Sequence, residues 1–291
     1  MAAPAIEVDG GLARAARALR EAHALLVTAG AGMGVDSGLP DFRGDEGFWL
    51  AYPPFRKLGL SFVDLAQPRW FDSDPLLAWG FYGHRLGLYR RTQPHAGFAR
   101  LLEWSRACEH GGFVFTSNVD GQFQRAGFDP ERIVECHGSI AHLQCSRLCS
   151  FEIFSAEGVS VDVDAASFRA RAPLPRCPHC GQLARPNVLM FDDGDWLSER
   201  TDAQHDRLTA WLRDLEAADE LERLVVVECG AGTAIPTVRR MGERLAAAGA
   251  TLVRINVAEP EVPSGQIGLP LAALEATSLL AALLEGHSPA S

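Results

Sequence analysis

No apolar stretch of the 291-residue chain approaches the roughly 20 residues that a bilayer-spanning helix requires. Basic runs of five or more residues are missing too, and 27 Lys and Arg stand against 37 Asp and Glu, a formal charge of −10. That balance repels a phosphate backbone, so neither a nucleic-acid nor a membrane partner is expected. The opening residues, MAAPAIEVDG, have no basic segment followed by an apolar one, so no secretory signal is expected. Seven cysteines cannot make a dense disulfide scaffold, and an odd count with two close pairs suits a metal site in a reducing compartment. A cytoplasmic location is therefore the expectation. No repeat and no low-complexity tract is visible, which leaves one large domain, or one with a smaller insert.

What is present follows an α/β grammar. Residues 11–23 place apolar side chains at helical spacing, and 24–28 (ALLVT) form a short apolar run ending in glycines. Similar runs recur at 112–116, 224–228 and 251–255. Ala-rich helical stretches at 238–248, with Gly249 as the residue after the cap, and at 270–284 complete the alternation. Continuous β-branched runs between helices predict a parallel sheet covered on both faces. Residues 44–91 hold most of the aromatics and read as a loop and a helical insert. Residues 141–185, with paired cysteines and several prolines, read as a small metal-held module.

Four motifs carry chemistry. Cys145 and Cys149, then Cys177 and Cys180, supply two thiolates each from tight turns, a set suited to tetrahedral zinc. Four sulfurs leave no open coordination position, so the role is structural; His142 and His179 are weaker alternatives as ligands. Glycines 30, 32 and 34 follow a strand and let backbone N–H groups approach a phosphate, or they simply make a tight turn. Gly38 and Pro40 then limit any helix to about one turn, unlike a dehydrogenase fingerprint. Asn118 and Asp120 stand at a strand's carboxyl end, where α/β folds bind ligands, although both also favour turns. His137, before Gly138, is either a structural hydrogen-bonder or a general base.

Taken in order, the Gly loop with PDFRG, the Asn118 and Asp120 pair, His137 and Gly138, the two cysteine pairs, RPNVLMF and Asn256 resemble the sirtuin family of NAD-dependent protein deacylases. The resemblance covers most of the chain. It implies a doubly wound, Rossmann-like parallel sheet with a small zinc-binding module and a helical insert. The NAD-binding domain would comprise 1–44, 92–140 and 186–291, the cofactor loop and insert 45–91, and the zinc module 141–185.

By the same resemblance, Gly30, Ala31 and Gly32 would cradle the pyrophosphate of NAD. Leu39 and Asp41 would hold the nicotinamide carboxamide, Phe42 would shield the reacting sugar face, and Arg43 would anchor the mobile loop. Ser117, Asn118 and Asp120 would line the nicotinamide-ribose pocket, with Gly230, Gly232, Thr233 and Asn256 on the adenosine side. His137 would be the general base. An acyl-lysine peptide would add as a strand between 188–193 and the turn at 233–237, with Val188 and Phe191 walling the acyl tunnel. Phe48 and Trp49 would join Phe42 in an aromatic cover that keeps the reacting sugar dry, or these three simply form the core of the insert. The products would be nicotinamide, free lysine and O-acyl-ADP-ribose.

The chain departs from the family pattern at Gly34, Ser117, Gln122, Phe123, Asp192 and Asp193. Asp192, Asp193 and Asp195 would make the substrate rim acidic and favour basic peptides, or they are simply the charges of a solvated loop. The altered positions motivate an alternative, an ADP-ribosyltransferase or NAD hydrolase on the same fold. A non-catalytic NAD- or peptide-binding module is a further alternative, disfavoured by the retained His137.

Overall fold

The computed structural model describes residues 5–41 and 44–286. Helix α1 (Ala5–Arg20) leads into strand β1 (Ala24–Ala29). The insert follows as α2 (Gly44–Ala51), α3 (Pro53–Lys57), α4 (Phe62–Leu65), α5 (Trp70–Ser73) and α6 (Pro75–Arg91). Next come α7 (Ala96–Ala107), β2 (Gly112–Thr116), α8 (Gln122–Arg125) and β3 (Ile133–Glu135). Strands β4 (Gly138–Cys145), β5 (Phe154–Ser155) and β6 (Ala184–Val188) precede α9 (Glu199–Ala217) and β7 (Leu224–Cys229). Helix α10 (Thr237–Ala247), β8 (Thr251–Ile255), β9 (Ile267–Leu269) and α11 (Ala273–Glu285) complete the chain. Among the described residues no helix is long and apolar enough to cross a membrane.

Six parallel strands form one sheet in the order β3-β2-β1-β7-β8-β9, the doubly wound arrangement the family resemblance implies. Alternation along β1 explains why the sheet is covered twice. Leu25, Val27 and Ala29 pack with Leu12, Phe98 and Leu280, whereas Ala24 and Leu26 pack with Leu208, Trp211 and Leu245. One face is therefore covered by α1, α7 and α11, and the other by α9 and α10. Gly249, with φ +114°, ends α10 as the sequence predicts.

Strands β5-β4-β6 form a separate antiparallel sheet that carries the cysteine module. The sequence boundaries at 140/141 and 185/186 fall inside β4 and β6, so main-sheet edge and module share continuous chain. Insert and module also share an apolar core: Phe48, Tyr52, Phe55 and Phe81 are fully buried in one cluster with Ile140, Leu143 and Ala184. The aromatic wealth of 44–91 is thus spent on packing. Phe48 lies against Tyr52, Phe55, Phe62 and Phe81, and Trp49 donates its Nε1 to the Leu60 carbonyl at 2.8 Å. Of the two readings of Phe48, ligand cover or insert core, the structure shows the core, with Trp49 packed against it.

Candidate active site

The sheet reverses its winding between β1 and β7, and the candidate residues gather at the carboxyl ends there. Gly30, after β1, donates its N–H to the Cys229 carbonyl at 3.0 Å, and Gly32 to the Gly230 carbonyl at 3.0 Å. Gly230 takes φ +63°. A Cβ there would lie 2.4 Å from the backbone of Gly32 and Met33, and one on Gly30 would lie 2.8 Å from Ala231. The two glycine turns therefore meet backbone to backbone, and side chains would force them apart. This close approach is a cradle that a Cβ would fill, and it suits a pyrophosphate lying over paired strand ends.

Other groups fix the first turn. His95 Nε2 lies 3.0 Å from the Met33 carbonyl, Ser37 Oγ accepts from His95 N–H, and Asp36 caps Leu274 N–H at 2.8 Å. Ala31 is exposed at the turn's tip, whereas Leu39 is buried and its N–H returns to the Gly34 carbonyl. A Cβ on Gly34 would press to 3.1 Å from Leu39, which accounts for glycine at that position. Asp41 ends the described loop half-buried; Phe42 and Arg43 lie outside the described residues.

Strand β2 delivers the next group. Ser117 N–H donates to the Ala29 carbonyl, and Asn118 Nδ2 donates to the Gly30 carbonyl at 2.9 Å. The Asn118 side chain thus bonds the glycine turn, while its backbone N–H donates to the Thr116 hydroxyl at 3.0 Å. Asp120 accepts from Gln122 N–H at 2.9 Å. Burial raises its pKa to about 6, with the Gln122 bond and Arg85 pulling down and Glu135 pushing up. Gln122 is buried and donates to the Tyr89 and Thr92 carbonyls, so its departure from the family pattern serves packing.

His137 is half-buried between the end of β3 and the start of β4. Burial lowers its pKa below the ordinary 6.5, and the Ser117 backbone offsets part of the shift by bonding the protonated ring. The imidazole is therefore a neutral base at pH 7, in reach of the same strand end that carries Asn118. Gly138 makes this placement possible. Its φ is +74°, and a Cβ there would lie 2.2 Å from the Asn187 carbonyl oxygen on β6.

On the far side, Asn256 is buried and donates Nδ2 to the Ala231 carbonyl at 2.8 Å. Gly232 and Thr233 are exposed. Glu259 accepts from Thr233 N–H at 2.9 Å and from its Oγ1 at 2.5 Å, and Arg239 holds the Ala231 and Glu259 carbonyls. Sequence reasoning did not single out His95, Asp36, Arg239 or Glu259. Each acts on a distant loop, so no local motif marks it.

Val188 is buried and pairs with Gly138 across β6 and β4. Phe191 is half-buried, with its ring 6.3 Å from Phe62 and its N–H on the Ala66 carbonyl. Asp193 does not stand on an acidic rim. Its carboxylate takes two bonds from Arg185, at 2.7 and 2.8 Å, with both side chains out of water. Asp192 and Asp195 remain exposed. Asp192, where the family has glycine, has φ +56° and keeps the left-handed turn without one.

The four cysteine sulfurs lie within 4.8 Å of one another, with Cys145 to Cys180 at 3.6 Å and Cys149 to Cys177 at 3.5 Å. Tetrahedral zinc with sulfur at about 2.3 Å sets sulfur separations of about 3.8 Å, so the set fits structural zinc. His179 instead pairs with Glu152 at 2.5 Å.

The site and sheet together define a class, the α/β proteins that bind a dinucleotide beside a zinc-held module. A profile of the Sir2 family matches residues 30–221. An NAD-dependent protein deacylase of Thermus thermophilus is 32% identical over 273 residues, covering 92% of this chain and 93% of that protein. A mutant Sir2 homologue solved with ADP-ribose superposes with TM-score 0.70 at 26% identity, over 96% of this chain and 98% of its own. A Sir2 homologue solved with NAD gives TM-score 0.68 at 26% identity, over 95% of each chain. The chain belongs to the Sir2 family.

Proposed function

We propose that this protein removes acyl groups from protein lysines at the expense of NAD, releasing nicotinamide and O-acyl-ADP-ribose. The reading rests on one observation above the others: a neutral, half-buried His137 after β3, bonded by the Ser117 backbone at the carboxyl end of the neighbouring β2. Family membership and the deacylase and NAD-bound relatives support it.

Bound NAD supplies the electrophilic sugar carbon and the hydroxyl that must later lose a proton. The chain's own residues do the rest. The paired turns at Gly30 and Gly230 carry the pyrophosphate, Asn256 and Thr233 face the adenosine half, and Asn118 with Asp120 orients the reacting sugar. Asp41, with the backbone at Leu39, holds the nicotinamide carboxamide. His137 takes up the hydroxyl proton, a role worth about 10²–10⁴-fold. Val188 and Phe191 wall the lysine entry, and exposed Asp192 and Asp195 favour basic peptides.

Mass spectrometry of products from NAD with a panel of acyl-lysine peptides tests this. O-acyl-ADP-ribose is the expected product; nicotinamide release without any acyl acceptor would point to transfer or hydrolysis instead.

A further inference from the structure

His95 stands at the N-cap of α7, outside the glycine cradle, yet it bonds the first glycine turn twice. Its backbone N–H donates to Ser37 Oγ at 3.0 Å, and its Nε2 lies 3.0 Å from the Met33 carbonyl oxygen. Met33 and Ser37 both belong to the short 3₁₀ helix Ala31–Ser37 that follows Gly30. The third bond is to its own helix, where Gly97 N–H donates to Nδ1 at 3.0 Å as the side-chain cap of α7.

These partners fix the tautomer. A backbone N–H only donates, so Nδ1 is bare; a carbonyl oxygen only accepts, so Nε2 carries the proton. Burial lowers the ring's pKa below the ordinary 6.5; the Met33 carbonyl and Asp36 offset part of the shift and Arg100 adds to it, so the ring is neutral at pH 7. The ring also has a single seat. Its centroid is 4.9 Å from that of Phe98, and a Cβ on Gly97 would lie 2.6 Å from its Cε1 and 2.8 Å from its Nδ1.

What the imidazole holds is one wall of the cradle. Met33 N–H donates to the Gly30 carbonyl at 3.0 Å, and that same carbonyl accepts from Asn118 Nδ2 at 2.9 Å. Across the gap, a Cβ on Gly230 would lie 2.4 Å from Met33 N. A displaced Met33 therefore disturbs both glycine turns and the bond that places Asn118. With the Met33 carbonyl fixed, the turn is shaped before a ligand arrives; without that bond, the ligand must order the turn as it binds.

We infer that His95 is a positioning residue for NAD, acting through the bond from Nε2–H to the Met33 carbonyl; this rests on the reading of the paired glycine turns as the pyrophosphate cradle. Two variants separate its side-chain bonds. His95→Asn puts an acceptor where Nδ1 stands and keeps the cap, but nothing in it reaches Met33. His95→Gln puts an N–H donor near the position of Nε2 and loses the cap. The zinc-loaded full chain is followed by calorimetry with NAD, by kinetics with NAD and an acetyl-lysine peptide, and by urea unfolding. His95→Asn is expected to keep the native unfolding midpoint, to bind NAD about tenfold more weakly, and to raise KM for NAD by that factor with kcat within about twofold. His95→Gln is expected to unfold at lower urea yet to bind NAD within about threefold of native. Native NAD affinity in a folded His95→Asn, or affinity losses that track the stability losses in both variants, would overturn the inference. If His95→Asn does not fold, His95→Gln decides alone, and an affinity loss of about tenfold in it is the contrary result. A native protein that binds no NAD would overturn the cradle and this inference together. One that binds NAD but forms no O-acyl-ADP-ribose contradicts only the proposed activity, and the calorimetric comparison still decides the role of His95.

Discussion

Gly138→Ala tests how the fold delivers its imidazole. Gly138 joins β3 to β4 directly after His137, with φ +74°. Alanine in the left-handed region costs about 1–2 kcal/mol. Its Cβ would also sit 2.2 Å from the Asn187 carbonyl oxygen and 3.2 Å from Val188 Cα, so β4 and β6 must separate. Overpacking of that kind adds about 1–3 kcal/mol. The total is roughly 2–5 kcal/mol, read as a lowered urea midpoint with unchanged slope. Moving His137 by about 1 Å should also reduce kcat/KM about 100-fold. Gly158→Ala is the matched control. Gly158 has φ +75° but nothing within 4 Å of its Cβ position, so it bears the backbone cost alone and leaves turnover intact. A Gly138→Ala protein as stable and as active as the Gly158→Ala protein would refute the reasoning.

Three further outcomes follow from other residues. Asp193→Asn, which strands the buried Arg185 charge, should destabilise by about 3–5 kcal/mol in urea unfolding, whereas Asp195→Asn on the surface should stay within about 0.5 kcal/mol. Burial lowers the His137 pKa, so the base is neutral above that value and protonated below it. The acid limb of the kcat/KM profile should fall with a midpoint under 6.5 and be absent in any residual His137→Ala activity. Metal analysis should find one zinc per chain, and a strong chelator should lower the thermal midpoint; a folded, zinc-free protein of equal stability would contradict the four-thiolate site.

The sheet was legible in the sequence because its strands are buried on both faces. ALLVT, GFVFT and TLVRI are runs that few other structures accept, and each lies within an observed strand. Helix α9 left a weaker trace: its buried positions are Thr201, Gln204, Leu208, Trp211 and Leu215, and the two polar ones break the apolar stripe. Strand β9 is three residues long with Gly268 at its centre, too short for periodicity to register. At the site, motif residues stand out because the chemistry needs those types, but their supports do not. Arg185 of RPNVLMF pairs with Asp193, eight residues away, and turns an expected acidic rim into a buried ion pair. Asn187 of the same motif donates to Gln144 and to the Leu197 carbonyl. The Asn187–Gln144 bond is set by the pairing of β6 with β4 and the Arg185–Asp193 pair by the turn after β6, neither of which local spacing encodes.

The most direct measurement is the rate of O-acyl-ADP-ribose formation from NAD and an acyl-lysine peptide by the native protein and by a folded His137→Ala variant. The account predicts a fall of about 10²–10⁴-fold with one zinc retained and NAD still bound. Undiminished product formation by that variant would contradict it.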